Sequence, residues 1–128
     1  MIGTCVCGSV CWTLDNLPSS ATICNCTACR KYAALWAYAF IDEGVTTKGI
    51  TKAYARGTAL EFHFCANCGT LAFYRGLRTE EDGKIKIALN LRLANPDAVA
   101  KITLERFDGL DTFDDLPLDG RCVSDVWF

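Results

Sequence analysis

The stretch "ALEFHFCANCGTLAFY", residues 59–74, places a cysteine pair between two segments of strand-forming composition. The segments on both sides of the pair are rich in aromatic and aliphatic residues, which favour β-strands. Cys65 and Cys68 have the C-x2-C spacing of a zinc knuckle, and Gly69 supplies the positive φ that such a tip requires. The stretch therefore predicts a β-hairpin whose tip offers two thiol ligands to a metal ion.

The rest of the chain also has mainly strand-like patterns. Alternating apolar and polar residues, or short aromatic-rich runs bounded by turns, are typical of β-strands. A helix is predicted for "TACRKYAAL" (27–35), with Thr27 as its cap, and "NPDAVA" (95–100) can open a second short helix. These patterns predict a mainly β fold with one or two short helices. The further predicted strands are "SVCWTL" (9–14), "LWAYAFI" (35–41), "KIKIALNL" (84–91) and "ITLERF" (102–107).

Length and composition narrow the class of protein. The 128 residues are 51% hydrophobic and 22% charged, which predicts one domain over residues 1–128. The net charge of -2 gives no basic footprint for nucleic acid, so a nucleic-acid partner is disfavoured. The longest apolar run, residues 33–41, is too short to span a bilayer. No secretory signal is visible at the N-terminus, and these features together predict a cytoplasmic protein.

The nine cysteines are arranged as metal ligands rather than as a disulfide framework. An odd count without an export signal fits a disulfide scaffold poorly. Close C-x-C and C-x2-C pairs are compact chelates when their thiols stay reduced. A redox role for the C-x-x-C in "CTAC" is weak because no βαβ pattern surrounds it. The clustered cysteines are Cys5 and Cys7, then Cys24, Cys26 and Cys29, then Cys65 and Cys68.

Seven clustered cysteines divide most naturally into four and three. A closed tetrahedral thiolate site is structural, and its metal affinity adds to folding stability. The alternative division pairs Cys24 and Cys26 with the hairpin cysteines, which breaks the three-cysteine chelate and leaves Cys29 alone. The favoured closed site consists of Cys5, Cys7, Cys65 and Cys68.

Cys24, Cys26 and Cys29 then form a second chelate with an open fourth position. Three protein ligands and one vacancy are the pattern of a catalytic zinc. Three thiolates leave Zn²⁺ with about one net negative charge, so the site favours a soft fourth ligand, such as a substrate thiol, which loses its proton on coordination. The alternative is an internal fourth ligand that closes the site. The candidates for that ligand are Cys11, Cys122, His63 and a carboxylate.

Three motifs together resemble one protein family. "GTCVCGSV" (3–10), "CNCTACRKY" (24–32) and "FCANCGTLAFY" (64–74) are similar to the glutathione-dependent formaldehyde-activating enzyme family. Centromere protein V is grouped with the same family. The resemblance implies a zinc-stabilised, β-tent-like fold of coiled antiparallel sheets. It also implies two Zn²⁺ per chain, a structural ion on Cys5, Cys7, Cys65 and Cys68 and a catalytic-type ion on Cys24, Cys26 and Cys29.

The resemblance also implies an activity. The family joins formaldehyde to glutathione to give S-hydroxymethylglutathione, which is a carbon–sulfur lyase reaction in the reverse sense. The partners that the resemblance implies are therefore a small thiol, glutathione, and an aldehyde. Arg30 and Lys31 directly follow the third ligand of the open site, and they are predicted to bind the carboxylates of an anionic thiol. The alternative function is a zinc-structured binding module without catalysis.

Overall fold

The computed structural model describes residues 1–127, which form a mainly β fold, as predicted. Eleven strands and two short α-helices occur in this part of the chain. The helices are α1 (Thr27–Tyr32) and α2 (Pro96–Val99). The strands are β1 (Ile2–Thr4), β2 (Cys11–Leu14), β3 (Ser20–Cys24), β4 (Trp36–Phe40), β5 (Val45–Lys48), β6 (Thr51–Ala55), β7 (Leu60–Cys65), β8 (Leu71–Gly76), β9 (Lys86–Asn90), β10 (Thr103–Phe107) and β11 (Asp115–Leu116).

The strands form two sheets. The smaller sheet has the order β1-β2-β5, and the larger has the order β11-β10-β3-β4-β9-β8-β7-β6. All pairings are antiparallel except that of β3 with β10, in which Ser20 lies opposite Thr103 and Cys24 lies opposite Phe107. This parallel pair brings a late segment of the chain directly beside the "CNCTAC" cluster.

The two faces of the larger sheet pack against different partners. One face carries residues such as Leu35, Phe73 and Leu89, and it packs against Trp12 of the smaller sheet in the main core. The other face carries Trp36, Phe62, Tyr74 and Ala88 and packs against α1 and the cysteines of residues 24–29. Because side chains alternate between faces along a strand, successive residues of one strand pack alternately against the main core and against the cysteine cluster.

The helix α1 is shorter than predicted from the sequence. It ends at Tyr32, and Ala33 adopts the left-handed conformation with φ 51°. Its N-cap is Cys26, whose Sγ accepts a hydrogen bond from the Cys29 N–H, so the prediction of Thr27 as cap was wrong. A thiol thus satisfies one of the free N–H groups at the start of the helix. The short helix leaves Leu35 free to enter the main core.

The predicted strands are confirmed with boundaries shifted by one or two residues. The strand β7, the turn and β8 form the predicted hairpin, with a register shift between His63 and Phe64. The sequence analysis missed β1, β5, β6 and the short β11, as well as β3, whose "SATIC" pattern is not strictly alternating. No helix within residues 1–127 combines the length and the hydropathy that crossing a bilayer requires.

Candidate metal centres

The first group of cysteines joins the N-terminal turn to the tip of the β7–β8 hairpin. Its four Sγ atoms all lie within 4.8 Å of one another. The Cys7 Sγ lies 3.6 Å from that of Cys5 and 3.7 Å from that of Cys65. A tetrahedral zinc with Zn–S bonds of about 2.3 Å requires sulfurs about 3.8 Å apart. The donor set therefore fits Zn²⁺ in both chemistry and spacing. The group is Cys5, Cys7, Cys65 and Cys68.

Backbone groups point toward these sulfurs. The Val10 N–H donates to the Cys5 Sγ at 3.2 Å, and the Cys68 N–H lies 3.5 Å from the Cys65 Sγ. Gly69 has the predicted positive φ, at 75°. Hydrogen bonding with Ser9 lowers the pKa of Cys7 to about 5. Hydrogen bonds thus favour the thiolate form of Cys7 and Cys68, which is the form that binds a metal.

The second group lies where β3 ends and α1 begins. Cys24 is the last residue of β3, Cys26 caps α1, and Cys29 lies within α1. Their Sγ atoms lie within 4.8 Å of one another. No further histidine, cysteine, aspartate or glutamate within residues 1–127 joins this group. Three soft donors at this spacing fit a thiophilic ion such as Zn²⁺ and leave one side of it free of a protein ligand.

Two of the suggested fourth ligands lie in other surroundings. The His63 Nδ1 is hydrogen-bonded to the Thr51 Oγ1 at 2.8 Å, and its Nε2 to the Glu61 carboxylate at 3.0 Å. The His63 ring stacks on Phe73. It faces the main core side of the larger sheet, opposite the second cysteine group. The Cys122 Sγ lies 3.2 Å from the Ser124 Oγ, beside the last turn of the described chain.

Burial raises the pKa of two of the three thiols in the second group. It raises the pKa of Cys24, and it raises the pKa of Cys29 to about 12 even though the Trp36 indole N–H donates to the Cys29 Sγ at 3.2 Å. Burial also acts on Cys26, but hydrogen bonds from Cys29 outweigh it and lower its pKa. Three thiolates this close together repel one another, so a cation is needed to hold them together in the charged form.

A loop from the C-terminal part of the chain closes over the second group. Asn25 donates to the Asp108 carboxylate at 2.9 Å and accepts from the Leu110 N–H at 3.0 Å. The same carboxylate accepts hydrogen bonds from the backbone N–H groups of Asp111 and Thr112. The Asn25 hydrogen bond is the main reason that the pKa of Asp108 falls to about 2. The loop is therefore anchored to the residue between two candidate ligands.

Gly109 of this loop lies directly against the cysteines. A Cβ at this position would lie 2.7 Å from the Cys24 Sγ and 3.0 Å from the Cys26 Cβ. We expect Gly109→Ala to weaken zinc binding at the second group by about tenfold, because overpacking typically costs about 1–3 kcal/mol. Metal titration against a chromophoric chelator measures this affinity.

Gly76→Ala is the matched control for this substitution. Its new Cβ would approach no atom outside the adjacent residues more closely than 3.4 Å, so both metal affinities should stay at the wild-type values. An unchanged affinity of the second group in Gly109→Ala would contradict the close packing of the loop on the cysteines.

An arginine-rich cavity opens beside the second group. The cavity has a volume of about 520 Å³, and Cys24 and Cys29 form part of its wall. Asp119 forms ion pairs with two of its arginines, at 3.2 Å to the Arg106 Nε and 2.9 Å to the Arg121 Nε. The other two arginines of the cavity form no ion pair within residues 1–127, so the cavity is suited to an anion. The four lining arginines are Arg30, Arg92, Arg106 and Arg121.

Of these four arginines, the sequence analysis predicted only Arg30 as a ligand-binding residue. Arg30 lines the cavity, whereas its neighbour Lys31, predicted to act with it, is not among the lining residues. Arg92 and Arg106 lie in "LNLRLANP" and "RFDGL", and nothing in these segments marks their arginines as neighbours of the cysteines. Only the parallel pairing of β3 with β10 brings Arg106 beside Cys24.

Comparison with known proteins agrees with this geometry. Residues 1–103 match the family model described as glutathione-dependent formaldehyde-activating enzyme. The chain belongs to this family. Membership suggests glutathione-dependent activation of formaldehyde, and the two cysteine groups are compatible with the metal ions that such a site would use. No protein of curated function matches the sequence significantly.

A solved structure shares the fold of this family member. It is the crystal structure of a Rhodobacter sphaeroides protein, 24% identical in sequence, with a TM-score of 0.61. The match covers 81% of this chain and 99% of the other chain. The likeness supports the arrangement of the sheets described above.

Proposed function

We propose that this chain is a carbon–sulfur lyase-type enzyme that joins glutathione, or a closely related anionic thiol, to a small aldehyde such as formaldehyde. The observation that carries the proposal is the juxtaposition of three candidate thiolate ligands with a cavity lined by four arginines. The proposed unit is one zinc-binding domain over residues 1–128. Because the site needs reduced thiols, we place the reaction in a reducing compartment such as the cytoplasm.

The cysteines are proposed to hold two Zn²⁺ ions with different roles. The four-cysteine group would hold a structural ion, because all four of its positions are protein thiols. Cys24, Cys26 and Cys29 would hold the second ion. Bound there, Zn²⁺ would supply a thiophilic cation that favours the thiolate form of a fourth, external sulfur ligand.

The arginines provide the recognition of the thiol compound. Glutathione carries two carboxylates, and guanidinium groups bind carboxylates through paired, charge-assisted hydrogen bonds. Within residues 1–127, neither Arg30 nor Arg92 has a carboxylate within ion-pair distance. Arg92 instead lies over the Trp127 ring, with its guanidinium carbon 5.8 Å from the ring centroid. The Arg92 Nε donates to the Ala33 carbonyl oxygen, so the Arg30 guanidinium and the terminal nitrogens of Arg92 are the groups available to an anionic ligand.

The size and lining of the cavity also suit a tripeptide thiol. A volume of about 520 Å³ lies within the range of about 300–1,000 Å³ that is usual for small-molecule sites. Ile23, Phe107 and Leu116 give the cavity an apolar part beside its arginines. A thiol bound by its carboxylates would thus be oriented with its sulfur toward the cysteine wall, and the positioning itself would favour reaction.

The binding role of Arg30 can be tested directly. We expect Arg30→Gln to raise the Kd for glutathione by about tenfold, because a hydrogen bond to a charged group contributes about 1.5–3 kcal/mol. Lys31→Gln is the matched control, since it removes the same charge from the adjacent residue outside the cavity. Isothermal titration calorimetry on the zinc-loaded protein measures both affinities.

Cysteamine, a thiol without carboxylates, separates recognition from a general loss of thiol binding. Its affinity should be the same in wild type, Arg30→Gln and Lys31→Gln. Equal losses of glutathione affinity in both variants would indicate only a general effect of charge. Unchanged affinity in Arg30→Gln would count against the proposed orientation of the thiol.

A further inference from the structure

A second cavity, on the same sheet face as Cys24, is lined by two tyrosines that have no role in the function proposed above. Its volume is about 400 Å³, and its wall includes Thr22, Tyr38, Tyr74 and Phe107. Phe107 also lines the arginine-rich cavity, so the two cavities meet at this ring. Since Phe107 lies opposite Cys24 in the β3–β10 pair, the meeting point is beside a candidate zinc ligand.

The register of the strands places Tyr38 on the face that carries the cysteines. Thr22 lies opposite Trp36 in an antiparallel pair, so Cys24 and Tyr38, each two residues further along its own strand, share a face but lie on opposite sides of this pair. Side chains two residues apart project from the same face of a sheet. Tyr38 and Tyr74 both pair with Ala88 between them, and this small residue lets the two rings approach to a centroid distance of 6.4 Å.

A continuous set of contacts joins the tyrosines to the cysteines. The Trp36 indole N–H donates to the Cys29 Sγ at 3.2 Å, and the Trp36 ring contacts Tyr74 edge to face with centroids 5.0 Å apart. Tyr74 in turn lies against Tyr38. The charges of Cys24 and Cys29 contribute to the raised pKa values of both tyrosines, which indicates that the phenols lie within electrostatic reach of these thiols.

We propose that Tyr38 is a further catalytic residue, which donates a proton to the oxygen of the aldehyde as the thiolate attacks its carbon. This inference rests on the proposed function. The sulfur electron pair forms the new S–C bond, the C=O π bond breaks, and its electrons become an O–H bond with the Tyr38 proton. Water returns a proton to the tyrosinate, replacing the one that the thiol released on ionising. The adduct is a thiohemiacetal, and no oxidant or reductant is required.

The environment of Tyr38 suits this role. Burial around its hydroxyl raises the pKa of Tyr38 to about 12, so the phenol keeps its proton at neutral pH. The residue as a whole is 46% exposed, which leaves it open to the cavity and to proton exchange with water. Tyr74 is more buried and packs against the cysteine-bearing face, so we assign it to holding the Tyr38 ring in position.

The test compares Tyr38→Phe with Tyr54→Phe in the zinc-loaded protein. Tyr54 lies on β6, is 53% exposed and lines neither cavity, so its variant makes the same chemical change elsewhere. The rate of interconversion of glutathione and formaldehyde with their adduct is measured at equilibrium by NMR exchange. We expect Tyr38→Phe to lower the enzymatic rate about 100-fold, with unchanged glutathione Kd and zinc content, and Tyr54→Phe to match the wild type.

The possible results distinguish this inference from the function on which it rests. A wild-type protein that fails to accelerate the exchange overturns both. Acceleration by the wild type with less than a twofold loss in Tyr38→Phe overturns the role of Tyr38 alone. Glu105 also lines the cavity, and a large loss in Glu105→Gln with none in Tyr38→Phe would assign the proton to that carboxyl group instead.

Discussion

Cys65→Ser should prevent the chain from folding cooperatively at ambient temperature. Cys65 is only 2% exposed, and its Sγ lies 3.7 Å from that of Cys7, so it is central to the four-cysteine group. A structural zinc contributes about 10–16 kcal/mol in zinc-finger peptides. This is as large as the whole stability of a typical domain, about 5–15 kcal/mol. Loss of the ion should therefore outweigh the contribution of the hydrophobic core.

Circular dichroism during heating, combined with measurement of bound zinc, tests this expectation. Cys122→Ser is the matched control, because its Sγ lies outside both groups and a serine there can keep the contact to Ser124. The control should keep its zinc and its unfolding transition. A Cys65→Ser protein that still unfolds cooperatively near the wild-type temperature would show that the four-cysteine group does not support the fold.

Cys29→Ser, in contrast to Cys65→Ser, should leave the fold intact and abolish the thiol–aldehyde reaction. We expect bound zinc to fall from two ions per chain to about one, because Cys29 belongs to the three-cysteine group alone. The sheets should remain, since this group lies between α1 and one face of the larger sheet, away from the main core. Thiol–aldehyde exchange should fall to the uncatalysed rate, a loss of at least about 100-fold.

Cobalt substitution sharpens this experiment. In the wild type, glutathione should perturb the spectrum of the cobalt ion at the three-cysteine group, and in Cys29→Ser this perturbation should vanish while the spectrum of the other site persists. Loss of both metals and of the folded signal in Cys29→Ser would mean that the seven cysteines do not divide into two independent sites.

The cysteine spacing predicted much of the site, because chelation is a local property. Cys24, Cys26 and Cys29 lie within six residues of one another, so a single turn brings their sulfurs together. The β7–β8 hairpin likewise follows from a strand, a C-x2-C-G tip and a second strand. In both cases the residues that interact are close in sequence, and their pattern alone indicates the geometry.

The rest of the site depends on contacts between distant segments, which no local pattern encodes. Asn25 and Asp108 are 83 residues apart, and their hydrogen bond holds the loop that contacts Cys24. Arg106 reaches the cavity only because β10 pairs with β3 in parallel. Such pairing is decided by the packing of the whole sheet, and the alternating pattern of "ITLERF" is the same whichever neighbour the strand has.

The wall formed by residues 106–121 has a consequence for how relatives of this protein can diverge. The family model matches residues 1–103, so both cysteine groups lie in the shared part, whereas Arg106, Gly109 and Arg121 lie beyond it. Substitutions of Arg106 or Arg121 would change the charge beside Cys24, whereas Gly109 is held to its small size by its contact with the Cys24 Sγ. The charge that a ligand meets in the cavity can therefore be altered without replacing any of the seven clustered cysteines.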